Sequence, residues 1–439
     1  MRRLPVLALL AVLAGSFAFH AYRAEHPTTR YQAADERAYG RLAVGIADRH
    51  TYGNGLQDPL HWPPGAPMLF AAGHALFPDK ASARTFEIPA AYWLQAIVSV
   101  GTLLAAFTIA ALLGGMWAGV AAAALVGFYP PLILATGEQL SEPFGAFWLT
   151  TAFALLAVAA RLGRTWIFGV GGIALGAAVL TRADLLPVPF MLAPLVALWT
   201  WRSADALRHG LLVGALILGG AVLVMAPWTV YASQRAGAFV PVTRGSSSAL
   251  FVGTYLPGGG TTVGMKRALG AAAKRRNPKL RRIPDFDLEA RSVLAVIADR
   301  HPNLDANAAI GLEARRNLSR YVRSDPVGFA RMMLNKVQRM WSRYARGGAR
   351  HTTWKIRVPH ILLVLLGVAG LLLGALRRRS LLLACILAAV LTSTAVHMLV
   401  VSQARYNLPL MPSLLAGGLA GWAMFVRGPS CRTLVEDSS

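Results

Sequence analysis

Cysteine is almost absent from this chain, which has two cysteines among 439 residues. Cys385 lies within an apolar run and Cys431 in a polar tail, so the pair indicates neither a disulfide framework nor a compartment. Walker, G-x-G-x-x-G, CxxC and HExxH motifs are also missing, which excludes a nucleotide motor or a zinc site recognisable from residue spacing. No internal repeat stands out, so an inverted-repeat transporter has no support from the sequence.

Acidic residues are scarce as well, with 20 against 44 basic residues and a formal net charge of +24. Charged residues make up only 15% of the chain, whereas 55% is hydrophobic and the mean hydropathy is +0.48. A bilayer core of roughly 30 Å needs about 20 apolar residues in a helix. We therefore expect an all-α polytopic membrane protein with about ten transmembrane helices, near 4–21, 92–113, 116–135, 144–160, 166–182, 186–201, 210–230, 358–376, 380–402 and 408–426.

Basic residues in the short loops predict how the spans are oriented. They share one side, which the positive-inside rule makes cytoplasmic together with both termini: Arg2/Arg3, Arg161/Arg164, Arg202/Arg208 and Arg377/Arg378/Arg379. The first run could also be a cleaved signal peptide, but no small-x-small site follows it, so we expect a retained anchor. The chain then divides into an N-terminal membrane module with its outer loop at 22–91, an outer segment, and C-terminal spans with a cytoplasmic tail: 1–230, 231–357 and 358–439.

The outer segment 231–357 is the most basic part of the chain. It contains 24 Lys and Arg against 7 Asp and Glu, a net charge of +17, with its densest cluster at 273–282. We expect a small mixed or helical extracytoplasmic unit, with either solvated basic faces or a surface for lipid headgroups or an anionic acceptor. We expect no nucleic-acid partner, because this side faces away from the cytoplasm.

The first outer loop contains an acidic pair at the start of an amphipathic pattern. Asp35 precedes apolar residues at helical spacing, beginning with Tyr39, which predicts a helix over 36–49 along the membrane interface. Asp35 suits the N-cap of this helix, which is the structural alternative to a catalytic carboxylate. A proline pair after Trp62 predicts a rigid turn into a second interfacial helix, and His61 beside it is a ligand, a base or a solvated side chain.

Three other outer rims place charged residues at the ends of spans. Glu138 and Glu142 are four residues apart and would share one face of a helix. A carboxylate at a bilayer boundary is costly, which makes it a functional candidate. Arg182 and Arg405 stand at the two remaining rims, and a guanidinium suits phosphate because it donates parallel hydrogen bonds. Their recurrence on one side, more than any single residue, indicates a site.

Five sequence motifs resemble those of the integral-membrane GT-C glycosyltransferases. They are "DERAYGRLA" at 35–43, "WPPGAPMLF" at 62–70, "YPPLILATGEQLSEPF" at 129–144, "LTRAD" at 180–184 and "ARYNLPLMPSLLAG" at 404–417. The branch that the chain resembles contains the protein O-mannosyltransferases and the aminoarabinose transferases, the family 39 and family 83 type. The resemblance runs in order through nearly the whole chain and is weak in the basic outer segment.

The resemblance implies a role for each candidate residue. Asp35 matches the catalytic carboxylate, and Glu138 or Glu142, with Glu36 as a further candidate, matches a second acidic position for a metal or the acceptor. Arg182 and Arg405 are the candidates for the donor phosphate. Four residues are expected to line the substrate cavity, namely Tyr39, His61, Trp62 and Arg244. The sequence shows no clear metal-ligand set, so a divalent metal ion has no assigned ligands and no cofactor is expected with certainty.

The resemblance also implies the reaction. We expect transfer of a sugar from a polyprenyl-phosphate donor to an extracytoplasmic hydroxyl at the outer face of the cytoplasmic membrane. A single base that acts through the acceptor implies inversion. The acceptor is a protein, a lipid or a polysaccharide. A transporter or flippase of lipid-linked sugars is the alternative, and it predicts charges buried within the spans. A membrane scaffold that binds an acidic polymer is the third interpretation.

Overall fold

Helices make up the regular structure of this computed structural model, which describes residues 3–27, 34–56, 58–77, 86–200, 203–342 and 354–427. Cys431 and the predicted cytoplasmic tail lie outside these described residues. Within the described ranges the α-helices are, in chain order, α1 (Arg3–Glu25), α2 (Ala34–Arg49), α3 (Gly65–Leu76), α4 (Pro89–Gly114), α5 (Met116–Gly127), α6 (Pro130–Thr136), α7 (Glu142–Leu162), α8 (Trp166–Thr181), α9 (Pro187–Thr200), α10 (Ala204–Ala236), α11 (Ser246–Thr254), α12 (Thr262–Arg276), α13 (Ala290–Ala298), α14 (Ala306–Ser324), α15 (Pro326–Ser342), α16 (Trp354–Leu372), α17 (Leu381–Leu399) and α18 (Met411–Val426).

Short 3-10 turns connect several of these helices, and the described residues contain no strand. The turns that matter for the site are Pro59–His61, Ala183–Leu185 and Ala404–Asn407. The chain is thus an all-helical, multi-pass membrane protein, because helices satisfy their backbone polar groups internally and apolar helices of this length can cross a bilayer.

The ten predicted spans all fall on apolar helices, but the number ten is not confirmed. Seven helices among the described residues are long and apolar enough to cross a membrane. An eighth span results if α5 and α6, which are bent by 53° at a break, are counted as one. The remaining two, α8 and α18, have 16 residues each and so extend about 24 Å, short of a typical hydrocarbon core.

Small residues allow the membrane helices to pack closely, as the "GGIALGAAVL" stretch predicts. A Cβ at Gly172 or Gly176 of α8 would collide with the α10 backbone at Ile217 or Ala221. The same arrangement joins α16 to α18, where a Cβ at Gly370 would meet the carbonyl of Gly418. These contacts bring the ends of neighbouring helices together, so that residues at the helix termini can form a shared site.

The amphipathic pattern after Asp35 forms α2, but protein rather than lipid covers its apolar face. Tyr39 and Leu42 are both buried, and they pack in clusters with Phe70 of α3 and Trp228 of α10, respectively. The predicted interfacial helix therefore packs on a protein core at the end of the bundle. As predicted, a second helix, α3, starts directly after the Pro63-Pro64 pair.

In the described part of the basic outer segment the regular structure is helical. Helices α11 to α14 surround a separate apolar core that includes Phe251, Met265, Val293 and Ile310. The last helix of the segment, α15, returns to the membrane bundle, where the Trp341 indole donates to Thr394 Oγ1 of α17 at 3.1 Å. The segment is therefore anchored directly on the spans whose ends carry the charged rims.

Candidate active site

Asp35 lies at the exposed edge of a cluster of charged side chains. Helix α2 begins at Ala34, so Asp35 lies in its first turn and not at the N-cap as predicted. Its carboxylate pairs with the Arg405 guanidinium and accepts a hydrogen bond from the Trp62 indole at 3.3 Å. The carboxylate thus has a structural role, because its ion pair joins the first outer loop to the turn before the last span.

Glu142 connects the two candidate arginines at the centre of this cluster. Its Oε1 atom lies 3.0 Å from Arg182 Nη1 and 3.4 Å from Arg405 Nε, and only 2% of the side chain is exposed. Its Oε2 atom is buried and has no hydrogen-bond partner among the described residues. A buried carboxylate is tolerated here because two guanidinium groups compensate its charge.

The inner end of the cluster holds Arg182 in place. Arg182 Nε donates to Asp184 Oδ1 at 3.1 Å, and Asp184 Oδ2 faces His397 Nε2 at 3.1 Å. The Tyr406 ring stacks on His397 and lies beneath both guanidinium groups, 5.0 Å from Arg182 and 5.6 Å from Arg405. We call Asp35, Arg405, Glu142, Arg182 and Asp184 together the ion-pair network.

Exposure distinguishes the two ends of the ion-pair network. The Asp35 side chain is 36% exposed, whereas those of Arg182 and Asp184 are 7% and 15% exposed. Burial favours a raised pKa for Asp35, but the charge of Arg405 and its hydrogen bond outweigh this effect and lower the pKa. Asp35 is consequently an ionised and accessible carboxylate, the state that a general base requires.

Glu138 and Glu142 do not share a helical face as predicted. Helix α7 begins at Glu142 with Pro143 in its first turn, and Glu138 lies in the loop before it, because proline favours the start of a helix. Burial, with the nearby charges of Glu36 and Glu142, raises the pKa of Glu138 to about 7. Glu138 therefore changes its charge near neutral pH, unlike an ordinary glutamate.

Glu36 is held against the loop before α7. It is buried, and its Oε2 atom accepts a hydrogen bond from the Gln139 backbone N–H at 3.4 Å. The Gln139 side chain in turn donates to the carbonyls of Glu36 and Phe86 and accepts from the Ile88 N–H. Gln139 thus fixes the first outer loop to the Glu138 loop, a structural role for this acidic position.

A cleft next to the ion-pair network has a charged end and an apolar wall. Its volume is ≈ 10 Å³, room for about one water molecule. Glu138, Glu142 and Arg405 form the charged end. The apolar wall comes from the short helix α6 and from the loops that follow α6 and precede α18, through Pro131, Leu134, Ala135, Leu140 and Leu408. The lining thus combines charged and apolar groups, the two kinds of surface that a ligand with an anionic head and a hydrocarbon tail contacts.

The other predicted cavity residues lie around Asp35 at different distances. The Tyr39 hydroxyl donates a hydrogen bond to Ser141 Oγ at 3.4 Å, and Ser141 is the residue before Glu142 in the sequence. The His61 ring packs edge-on against Trp62, and burial lowers its pKa although the charge of Asp35 opposes this. Arg244 does not join the cluster, because its guanidinium pairs with Asp305 at 2.7 Å and its N–H donates to the carbonyl of Leu60.

Sequence reasoning missed His397, Tyr406 and Gln139 as members of this site. His397 carried a usable signal, since an ionisable residue within an apolar span is a functional candidate by default. Tyr406 and Gln139 lie within two of the quoted motifs, but only the tertiary contacts distinguish them from the other residues there. Among the described residues, no group of three or more His, Cys, Asp or Glu side chains could hold a metal ion.

Comparisons with known proteins bear on the fold. No protein-family profile matches the sequence, and no curated protein matches it. The apo oligosaccharyltransferase of Archaeoglobus fulgidus aligns with 94% of this chain at a TM-score of 0.53 and 18% identity. The oligosaccharyltransferase AglB from the same archaeon, in complex with an inhibitory peptide and a dolichol-phosphate, aligns with 95% of this chain at a TM-score of 0.53 and 19% identity.

This chain spans about half the length of these archaeal proteins, 50% of the chain in each structure. ArnT from Cupriavidus metallidurans, bound to undecaprenyl phosphate, aligns with 97% of this chain and 77% of its own at 17% identity and a TM-score of 0.40. The likeness to the archaeal enzyme extends over the membrane helices and the outer segment alike, since it covers nearly all of this chain. The chain therefore has the fold of the GT-C membrane glycosyltransferases.

Proposed function

We propose that this protein is a membrane glycosyltransferase that moves a sugar from a polyprenyl-phosphate donor to an extracytoplasmic hydroxyl. The observation that carries the proposal is that Arg405, which pairs with Asp35, lies at the charged end of a cleft with an apolar wall. Asp35 as a general base and Arg405 as a phosphate-binding group are therefore adjacent. A lipid-linked sugar bound through its phosphate to Arg405 would have its reacting carbon close to Asp35. The dolichol-phosphate complex of the archaeal enzyme with the same fold supports a polyprenyl-type carrier here.

Each group in the site has a chemical task in this reaction. Asp35 takes the proton of the acceptor hydroxyl, whose oxygen forms the new bond to the anomeric carbon. The bond between that carbon and the phosphate oxygen breaks, and polyprenyl phosphate leaves with the electron pair. Arg405, with Arg182 beside it across Glu142, offsets the charge that develops on the leaving phosphate. Stabilisation of such developing charge is usually the largest single contribution to catalysis.

Inversion at the anomeric carbon follows from the roles proposed for the carboxylates. A retaining route needs a second carboxylate close to the first to form a covalent intermediate. Glu36, the neighbour of Asp35, is buried against Gln139, and Glu142 is held between two arginines. Neither carboxylate is placed as a nucleophile, which supports direct displacement by the acceptor.

The pairing of Asp35 with Arg405 implies an order of events. While the two groups are paired they neutralise each other, so Asp35 is a weak base. A donor phosphate that binds Arg405 competes with Asp35 for the same guanidinium. Binding of the donor would thereby release the carboxylate for proton transfer, and the base would act only when a sugar is present.

The location of the reaction rests on the loop charges. The turn that carries Arg161 and Arg164 lies at the opposite end of α7 and α8 from Glu142 and Arg182 of the ion-pair network, because these two helices run antiparallel. Under the positive-inside rule the network faces away from the cytoplasm, and both termini lie inside. The carrier tail then stays in the outer leaflet while the sugar reaches the water-exposed side of Asp35.

Lipid extraction from a strain that lacks the gene tests the proposed function. We expect a polyprenyl-phosphate sugar to accumulate, since its consumption stops, and mass spectrometry of the lipid would identify the sugar. Complementation with the parent gene should remove the accumulated lipid. A lipid profile that does not change on deletion, together with no binding of undecaprenyl phosphate to the purified protein, would contradict the proposal.

A further inference from the structure

Lys336 of α15 is a fully buried lysine without a carboxylate partner among the described residues. Its side chain is 0% exposed, and its Nζ atom donates to the carbonyl of Gly253 at 2.9 Å and to that of Met398 at 2.6 Å. A buried ammonium is costly unless other groups compensate it. The two carbonyls are therefore the compensation that the fold supplies for this charge.

Both carbonyls belong to the last turn of a helix. Gly253 is the second-to-last residue of α11, and Met398 is the second-to-last residue of α17. The final carbonyls of a helix have no partner within it and carry a partial negative charge. A Cβ at Gly253 would collide with the carbonyl of Leu399, so the two helix ends approach closely and one lysine caps both.

The same helix also holds the loop that follows α17. Ser402 Oγ donates to the carbonyl of Lys336 at 3.2 Å, and Asn407 Nδ2 donates to the carbonyl of Met340 at 2.6 Å. Ser402 and Asn407 flank Arg405 in the sequence. Helix α15 thus holds the turn that contains Arg405 by a hydrogen bond on each side of it. Lys336 holds the C-terminal end of α17, which leads into this turn.

We propose that Lys336 is a positioning residue, through which the outer helices set the geometry of the Arg405 guanidinium toward the donor phosphate. The inference rests on the proposed function, in which Arg405 binds that phosphate. Lys336 contacts neither Arg405 nor the cleft; it acts through the end of α17 and the loop 400–410. A guanidinium is sensitive to such support, because a bidentate contact with phosphate needs a fixed plane.

Protonation of Lys336 does not decide the proposed role. Burial, together with the charge of Arg339, lowers the pKa of Lys336 to about 7. A neutral amine still donates to both carbonyls, so the contacts persist on either side of this pH. Lys336→Met removes the donors at every pH and keeps a long, unbranched side chain in the same space.

Binding of undecaprenyl phosphate to the full-length protein in lipid nanodiscs tests the proposal. We expect Lys336→Met to raise the Kd by about tenfold, which corresponds to about 1.4 kcal/mol. Arg331→Met is the matched control, because Arg331 is an exposed cation on the same helix and should leave the Kd unchanged. Ser402→Ala removes a single hydroxyl and should raise the Kd by about threefold, within the range of one hydrogen bond.

A double-mutant cycle separates positioning from a general loss of structure. In an Arg405→Ala background, Lys336→Met should cause no further loss of affinity, because its effect passes through the absent guanidinium. An unchanged Kd in Lys336→Met, or losses that add in the double mutant, would overturn the proposal. If Lys336→Met fails to fold, Ser402→Ala decides, and an unchanged Kd there has the same meaning. No binding by the parent protein would instead reject the proposed function, and the inference with it.

Discussion

Replacing Asp35 by Asn changes proton transfer and donor binding in opposite directions. The amide is nearly isosteric and can still accept the hydrogen bond of the Trp62 indole, so the first turn of α2 should keep its place. It cannot take a proton from the acceptor hydroxyl. Since general base catalysis contributes about 10²–10⁴-fold, we expect sugar transfer to fall by at least about 100-fold.

Donor binding should become tighter in the same variant. In the parent, Asp35 competes with the phosphate for Arg405, and a hydrogen bond between charged groups contributes about 1.5–3 kcal/mol when buried. The Asp35 side chain is 36% exposed, so solvent screening reduces this figure to about 1 kcal/mol. Asp35→Asn should therefore bind undecaprenyl phosphate about fivefold more tightly than the parent.

Two measurements together check the Asp35→Asn prediction. The Kd of undecaprenyl phosphate is measured in nanodiscs, and the amount of polyprenyl-phosphate sugar is measured in a deletion strain that expresses the variant. We expect a lower Kd and undiminished accumulation of the sugar lipid, with normal protein in the membrane. Weaker binding would refute the competition between Asp35 and the phosphate, and clearance of the lipid would refute the role of Asp35 as base.

Three further predictions concern the phosphate ligand, the pH dependence and the topology. Arg405→Lys should raise the Kd for undecaprenyl phosphate by about tenfold at unchanged expression, because an ammonium lacks the planar fork; equal affinity would make Arg405 a headgroup anchor only. Glu138 loses its proton as the pH rises through about 7, which adds a negative charge beside Arg405. The affinity of the parent relative to Glu138→Gln should therefore fall by about fivefold from pH 6 to pH 8, and a constant ratio would contradict this. Reporter fusions after Arg164 should report the cytoplasm and fusions within 255–340 the outside, and an inside result for the latter would overturn the proposed side of the site.

The apolar pattern of the sequence was sufficient to predict the all-helical membrane fold. Runs of about 20 apolar residues have few alternatives to a membrane helix, since the bilayer forces backbone groups to pair within the segment. The sequence also located the charged rims, because charges at the ends of apolar spans stand out from their surroundings. Composition could not settle the number of spans, since α8 and α18 have only 16 residues each.

The partners of the charged residues could not be read from the sequence. Asp35 and Arg405 are 370 positions apart, and only the packed helices bring the carboxylate to the guanidinium. The same holds for Glu142 between two arginines, and for Lys336 at the ends of α11 and α17. The sequence by itself therefore determined which residue types stand at the end of each span, because hydrophobicity is a local property of the chain. Tertiary structure alone decided which charges pair and which remain accessible, because Coulomb energy and burial depend on distances between segments remote in sequence.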